Sequence, residues 1–289
     1  MKKVLPVKLI NTYGMKRMNM SKAALSGRAF FVVLVLIVCF GSHHPANAAE
    51  RDLDWTVSSF AGNVGIYAKN LRTRQEIRVN ADTVFPTAST NKLVAAMGVY
   101  KYLYDKVPEA EQAHLEGNVE RMMRISDNAA YFDSIEAIRA VYGEEILEHI
   151  LRNDLKLEAT YVNSQVSFAQ YQYSSVTTPY EMGEVFEKLY DGKYLGEERS
   201  KRMLDYLAHT VFNDEIPRFF SGTLVMHKIG SLDDYLNDVG IVQIDQDPIL
   251  ISVFTRTDEG EDYASHFIAA IAYLLAERLS SRTDIFRTD

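Results

Sequence analysis

The stretch that decides the fold is FPTASTNKLVAAMGVYKYLY, residues 85–104. A polar segment runs directly into a mostly apolar one, and this pattern predicts a buried helix from about 89 to 104. Ser89 and Lys92 stand three residues apart, and positions i and i+3 share a face of a helix. Two interpretations are open at this point: Ser89 caps the helix and Lys92 extends to the surface, or Ser89 is a nucleophile and Lys92 is its base.

Strand patterns stand on both sides of this segment. Residues 63–80 predict a β-hairpin, and three further strands are predicted after residue 220, followed by a terminal helix in ASHFIAAIAYLLAERL. Between them, residues 109–212 read as helices from their i, i+3, i+4 apolar spacing. The fold class is therefore predicted as α+β: an antiparallel sheet built from both chain ends with a flanking terminal helix, and an inserted all-helical lobe.

One stretch of the helical region breaks the pattern. ATYVNSQVSFAQYQYSSVTT, residues 159–178, is long, polar and aromatic without clear periodicity. A loop of that size inside a compact domain is usually functional or held by its own packing. The domain prediction is a single two-lobed unit over 49–289, with a sheet lobe at 49–85 and 215–289 and a helical lobe at 86–214.

The first 48 residues have the pattern of a secretory signal peptide. Seven basic residues and no acidic one lie between 1 and 49, and the apolar run AFFVVLVLIVCF is followed by the small-residue pattern ANA. An uncleaved membrane anchor is the alternative, although 12 apolar residues are short for a span. Val38 before Cys39 disfavours a lipoprotein site. We expect a secreted or extracytoplasmic protein that meets a membrane only through this segment if it is uncleaved.

Composition excludes several classes of function. The rest of the chain sets 24 of the 31 basic residues against all 39 acidic residues, so nucleic-acid binding is not expected. The single cysteine lies in the signal segment, which leaves the mature chain without a disulfide or a cysteine-ligated metal. None of the five remaining histidines has ligand-like spacing to another. We expect no metal and no cofactor.

Two further motifs favour the catalytic interpretation of Ser89. Ser126-Asp127-Asn128 falls where a short turn separates two predicted helices; it could be a cap, or it could supply a hydroxyl and an amide to a substrate. HKIGS places Lys228 and Gly230 on a predicted strand, where glycine allows a ligand to approach the backbone closely.

In this order, the three motifs resemble those of the penicillin-recognising serine enzymes, namely class A β-lactamases and D-alanyl-D-alanine peptidases. The resemblance covers roughly 52–280 and includes TTPYEM at 177–182. It implies an acyl-enzyme mechanism without metal or cofactor, with a small-molecule β-lactam or a peptidoglycan stem peptide as the substrate. The roles that it implies are nucleophile for Ser89, base for Lys92, proton relay for Ser126, substrate binding for Asn128, Lys228, Gly230 and Ser231, and an oxyanion hole from the backbone N–H groups of Ser89 and Ser231.

The sequence departs from that family at two places. The third motif normally reads Lys-Thr-Gly or Lys-Ser-Gly, and Ile229 here removes a hydroxyl that helps to bind the substrate carboxylate, although Ser231 could partly replace it. The long loop lacks the glutamate that activates water for release of the acyl group, because the matching position falls on Val162, or on Tyr161 by the alternative count.

The resulting prediction is an exported serine hydrolase of class A β-lactamase type that is acylated at Ser89, with deacylation in doubt. Two alternatives stay open: a D-alanyl-D-alanine carboxypeptidase or penicillin-binding protein, and a catalytically weak module that binds cell-wall fragments.

Overall fold

A computed structural model describes residues 53–281. The predicted signal peptide at 1–48 lies outside the described residues. The predicted α+β class is confirmed: one five-stranded antiparallel sheet combines strands from before and after a long helical region, in the order β2-β1-β7-β6-β5. The strands are β1 Asn63–Asn70, β2 Glu76–Val79, β5 Val225–Leu232, β6 Tyr235–Ile244 and β7 Asp247–Arg256. A two-residue pair, β3 Phe85–Pro86 with β4 Val176–Thr177, forms a second small sheet.

The central strands of the sheet are buried on both faces. Seven of the eight residues of β1 are buried, as are eight of the ten residues in each of β6 and β7. Strands covered on both faces carry continuous apolar runs rather than a clean alternation. One face packs on the terminal helix around Ile66, Ile251 and Ile268, and the other packs on the helical region around Tyr67, Leu250 and Phe254.

The helical region lies between β3 and β5. Its helices, numbered in chain order, are α1 Lys92–Gly98, α2 Glu109–Arg124, α3 Asn128–Tyr142, α4 Ile146–His149, α5 Gln165–Tyr171, α6 Pro179–Tyr190 and α7 Glu197–Ala208, and the terminal helix is α8 Glu261–Leu279. Every residue of α1 is buried, as expected for a helix that is apolar on all sides.

Two local predictions need correction. The helix expected over 89–104 is composite: a 3₁₀ turn at Ala88–Asn91 precedes α1, and a π-helical turn at Val99–Leu103 follows it. The stretch 159–178 is not wholly irregular, because α5 lies within it and Ser164 caps that helix by accepting a hydrogen bond from the Ser167 N–H. A helix of only two turns contains too few apolar positions for its periodicity to be recognised in the sequence.

The turn after β1 and the start of β7 hold the C-terminal end of the described chain. The Asn70 side chain donates to the carbonyl of Leu279 (2.8 Å), the last residue of α8. Asp247 accepts hydrogen bonds from Arg72 (2.7 Å) and from the Ser281 N–H (2.8 Å). Within residues 53–281, no helix is both long and apolar enough to cross a membrane.

Candidate active site

Ser89 stands on the 3₁₀ turn that leads into α1. Neither this turn nor α1 has a side-chain cap, so the capping interpretation of the polar residues does not hold. Instead, Oγ of Ser89 lies 2.6 Å from Nζ of Lys92. Ala88, directly before it, has a positive φ of 45°, a conformation that is uncommon for non-glycine residues and clusters at functional sites.

Lys92 is buried at the centre of this arrangement, with only 2% of its surface exposed. Its Nζ also lies 2.7 Å from Oδ1 of Asn128 and 3.4 Å from Oγ of Ser126. Burial lowers the pKa of the Lys92 amine to about 8, although the Asp127 carboxylate opposes the shift. An amine with this pKa is partly neutral near pH 7 and can accept a proton.

Asp127, and not its neighbours, caps α3. Its Oδ1 accepts a hydrogen bond from the Ala130 N–H at 3.0 Å, which satisfies one of the free donors at the start of the helix. Ser126 adopts a positive φ of 56° between α2 and α3. As a result, the side chains of Ser126 and Asn128 both reach Lys92, and the capping explanation covers only the middle residue of the motif.

Lys228 approaches Ser126 from the opposite side, on β5. Its Nζ donates to Oγ of Ser126 at 2.9 Å and to the carbonyl of Ile229 at 2.8 Å. Burial, reinforced by the nearby Lys92, lowers the pKa of Lys228 to about 7. Ser126 therefore stands in a continuous chain of polar groups that joins Lys92 to Lys228.

Gly230 lets β5 pass directly beside the Ser89 turn. A Cβ at this position would lie 2.8 Å from the carbonyl oxygen of Thr87 and 2.9 Å from the backbone nitrogen of Ser89, so any larger side chain would displace one of the two segments. The following residue, Ser231, is exposed and lines the cleft on both sides of Ser89. The structure thus brings together all seven residues that the three motifs predict.

A buried histidine behind Lys228 has a role that the sequence did not reveal. Nδ1 of His227 lies 2.9 Å from both carboxylate oxygens of Asp238, and its Nε2 lies 2.9 Å from the carbonyl of Phe212. Asp238 also accepts a hydrogen bond from the Ile216 N–H at 3.0 Å. This pair ties the segment before β5 to the sheet. An aspartate inside the apolar strand β6 was the one sequence signal for it.

The long loop at 159–178, together with the two residues before it, contributes no carboxylate beside Ser89. Val162 is buried and Glu158 is exposed, and neither lines the cleft. Asn163, which has a positive φ of 51°, does line it. Glu181 holds the base of the loop by accepting hydrogen bonds from the N–H groups of Glu158 (2.7 Å) and Ala159 (2.8 Å).

Residues 53–281 contain no group of three or more His, Cys, Asp or Glu side chains placed to hold a metal ion. The arrangement has the parts of nucleophilic catalysis: a serine hydroxyl, an adjacent amine of lowered pKa, and a second hydroxyl that joins it to another amine.

The profile of the β-lactamase enzyme family matches residues 48–113 and 104–279. The chain belongs to the β-lactamase enzyme family. This agrees with the resemblance drawn from the three motifs, and it covers the part of the chain that contains all of them.

Solved structures show the same fold for this β-lactamase family member. One is PBP-A, with a TM-score of 0.68 and 21% identity over 83% of this chain and 98% of that one. Another is a β-lactamase from Chitinophaga pinensis DSM 2588, with a TM-score of 0.68 and 19% identity over 81% and 100% of the two chains. A third is the L158E mutant of PBP-A in an acyl-enzyme complex with penicillin G, with a TM-score of 0.68 and 21% identity over 82% and 98%.

Proposed function

We propose that this protein is an active-site serine hydrolase of β-lactamase type in which Ser89 attacks the carbonyl of a β-lactam or a related amide and becomes acylated. The carrying observation is the 2.6 Å contact between the Ser89 hydroxyl and the buried Lys92 amine. Lys92 accepts the hydroxyl proton as Oγ bonds to the carbonyl carbon. Ser126 passes a proton to the leaving nitrogen as the C–N bond breaks.

Backbone donors stabilise the negative charge that develops on the carbonyl oxygen during attack. The N–H groups of Ser89 and Ser231 are our candidates, since Gly230 brings β5 against the Ser89 turn. Such preorganised donors commonly contribute about 10²–10³-fold to the rate. Asn128 and the segment Lys228–Ser231 hold the substrate on either side of this point.

Release of the acyl group is the slow half of the proposed cycle. A serine ester is hydrolysed quickly only when a base activates water, and no carboxylate lines the cavity beside the loop. We therefore propose a long-lived acyl-enzyme, which favours behaviour like that of a penicillin-binding protein over rapid turnover. A D-alanyl-D-alanine carboxypeptidase is the second candidate, supported by the same missing base.

Intact-mass spectrometry after exposure to millimolar penicillin G tests the nucleophile. We expect a covalent adduct of the wild-type protein and none of Ser89→Ala. Ser174→Ala is the matched control. Ser174 lines the same cavity, and its replacement by alanine likewise removes one serine hydroxyl. An adduct of undiminished yield on Ser89→Ala would refute the assignment. Adduct lifetime then separates the candidates: hours indicate a penicillin-binding protein, and seconds a β-lactamase.

We also propose that the protein acts outside the cytoplasm, on the support of the signal-like pattern at 1–48. Fractionation of expressing cells, with N-terminal sequencing of the exported form, tests this proposal. A new N-terminus near residue 49 is the expected result, and retention of Met1 in the cytoplasmic fraction would contradict it.

A further inference from the structure

Ser89 lies at the junction of two cavities of similar size. One, of about 300 Å³, is lined by Asn128 and by the long loop; the other, of about 290 Å³, is lined by Ser126 and by the segment before β5. A substrate for acyl transfer has an acyl part on one side of the attacked carbonyl and a leaving group on the other. Since Ser126 is the proton donor to the leaving atom in the proposed function, we call the second space the leaving-group cavity and the first the acyl cavity.

The acyl cavity combines aromatic and neutral polar side chains. Tyr131, Phe132, Tyr173 and Leu232 line it together with several serines and asparagines, and in the described chain Lys92 is the one ionisable amine among its lining residues, which include no carboxylate or guanidinium group. Phe132 is 62% exposed and Leu232 is 37% exposed. Large apolar side chains left open beside a nucleophile suit an apolar or aromatic acyl group.

The leaving-group cavity is acidic. Asp214, Glu215 and Glu261 line it together with Val211, Phe212 and Ile229, and no lysine or arginine is among its lining residues. Glu215 is only 5% exposed, and burial, reinforced by the Asp238 carboxylate, raises its pKa to about 7. Asp214 and Glu261 therefore carry most of the negative charge of this cavity. None of the three carboxylates forms an ion pair with a basic side chain of residues 53–281, as the salt bridges there involve other acids.

Three basic side chains lie near this cavity but do not line it. The Lys92 amine contacts Ser89 and Ser126 of the lining, and also Asn128. Arg218 lines a different cavity, and its guanidinium donates to the backbone carbonyl of Asp214 at 3.3 Å rather than to a carboxylate. Lys228 is turned to Ser126 and to the Ile229 carbonyl, and burial lowers its pKa to about 7. Ile229 itself offers no hydroxyl. A carboxylate on the leaving group would therefore meet the like charges of Asp214 and Glu261, neither of which is paired with a basic side chain in residues 53–281, and the Lys92 and Lys228 amines would offset this repulsion only in part.

We propose that the leaving-group cavity selects acyl donors whose leaving group is cationic or neutral. It slows, without preventing, acylation by donors whose leaving group carries a carboxylate, such as penicillins and peptides that end in a free carboxylate. The inference rests on the proposed function of Ser89. The step is ordinary acyl transfer: the Ser89 Oγ–carbonyl bond forms, the bond to the leaving atom breaks, and the leaving atom keeps the electron pair and takes the proton. Water later cleaves the serine ester.

Three phenylacetyl thioesters provide the test, with mercaptoacetate, mercaptoacetamide and thiocholine as anionic, neutral and cationic leaving groups. Thiol release gives kcat/KM, and each value is divided by the rate of hydroxide-catalysed hydrolysis to remove differences in leaving-group reactivity. We expect the cationic thioester to exceed the anionic one by about tenfold, with the neutral thioester between them, as is common for one nearby like or opposite charge.

Asp214→Asn and Glu261→Gln should each lower the ratio of cationic to anionic rates by about threefold, because each removes one charge from an exposed position of the cavity. Glu111→Gln is the matched control, since Glu111, like Glu261, lies in the first turn of a helix but not in the cavity. An anionic thioester that reacts as fast as the cationic one, or a ratio that neither variant changes, would overturn the inference. Release that depends on Ser89 supports the proposed function whatever the ranking, and its absence from all three thioesters would overturn both.

Discussion

The two walls of the cleft differ in how their polar groups are held. The motif wall, formed by Ser89, Lys92, Ser126, Asn128 and Lys228, is a connected set in which buried amines contact both serine hydroxyls. The loop wall, residues 157–178, is held from behind by Glu181 and presents only neutral polar and aromatic side chains to the cleft.

This difference separates the two halves of an acyl-transfer cycle. Attack needs a nucleophile beside a base of suitable pKa, and the motif wall has both. Release needs a base for water, and the loop wall has none among the residues that line the cleft. A protein built in this way is expected to acquire an acyl group more readily than to lose it.

Among the changes proposed for the motif wall, loss of the Lys92 base should lower the acylation rate most. Lys92→Arg keeps the positive charge but removes the ability to accept a proton, because arginine stays protonated in proteins. We expect the acylation rate to fall by about 10²–10⁴-fold. Stopped-flow or quenched-flow acylation by a thioester measures it, with Lys101→Arg as a surface control. A change of less than threefold would show that another group takes the proton.

Gly230→Ala tests whether the close approach of β5 positions the nucleophile. The added Cβ would lie within 3.0 Å of Thr87 and Ser89 backbone atoms, and a displacement of about 1 Å can cost about 10²-fold in rate. We expect a fall of this size in acylation, together with a lower melting temperature. Gly117→Ala on α2 is the control, since its nearest contact would be 3.6 Å away. Equal acylation rates for the two variants would show that the close approach of β5 at Gly230 does not position Ser89.

The pH dependence of acylation should follow the lowered pKa of Lys92. The neutral amine is the active form, so the rate should rise by about tenfold per pH unit below pH 8 and level off above it. The same shift should make the free energy of unfolding increase with pH between about 8 and 10.5, because the unfolded chain then binds more protons. The acylation rate is measured with a neutral thioester, so that the substrate itself does not change its charge over this pH range. A flat profile between pH 6 and 9 would contradict the assignment.

A carboxylate placed on the loop wall should reduce the contrast between the walls. Asn163→Asp keeps the size of the side chain, and aspartate tolerates the positive φ of this position. We expect release of the acyl group to become about tenfold faster, less than the full contribution of a well-placed base. The lifetime of the penicillin adduct by intact mass measures it, with exposed Asn153→Asp as the control. An unchanged lifetime would show that this position does not reach the attacking water.

Local sequence features account for most of what could be predicted. Ser89 and Lys92 lie three residues apart, so their spacing predicted that the two side chains could meet, and a cap was one of the two roles predicted for the segment that contains Asp127. The alternating or apolar strands and the terminal helix followed from hydrophobic patterns. The contact between Lys228 and Ser126 joins residues far apart in the sequence, and only the family resemblance of the motifs brought them together.

The features that were missed depend on tertiary packing. The π-helical turn after α1 and the short helix α5 lack a distinctive pattern, and tertiary contacts decide both. The acidic leaving-group cavity combines Asp214 and Glu215 with Glu261 from the start of α8. Nothing in the separate segments indicates that these carboxylates share a wall with Ser126.

The pairing of β1 with β7 has a consequence for how the chain reaches its native state. The paired residues, from Asn63 opposite Arg256 to Asn70 opposite Ile249, are roughly 180 to 190 positions apart along the chain. The first hairpin therefore has no neighbour on its β7 side until nearly the whole polypeptide has been synthesised, and such non-local pairing slows folding. Ser89 belongs to the early part of the chain and Lys228 to the late part, so the chemistry can begin only once both ends have come together.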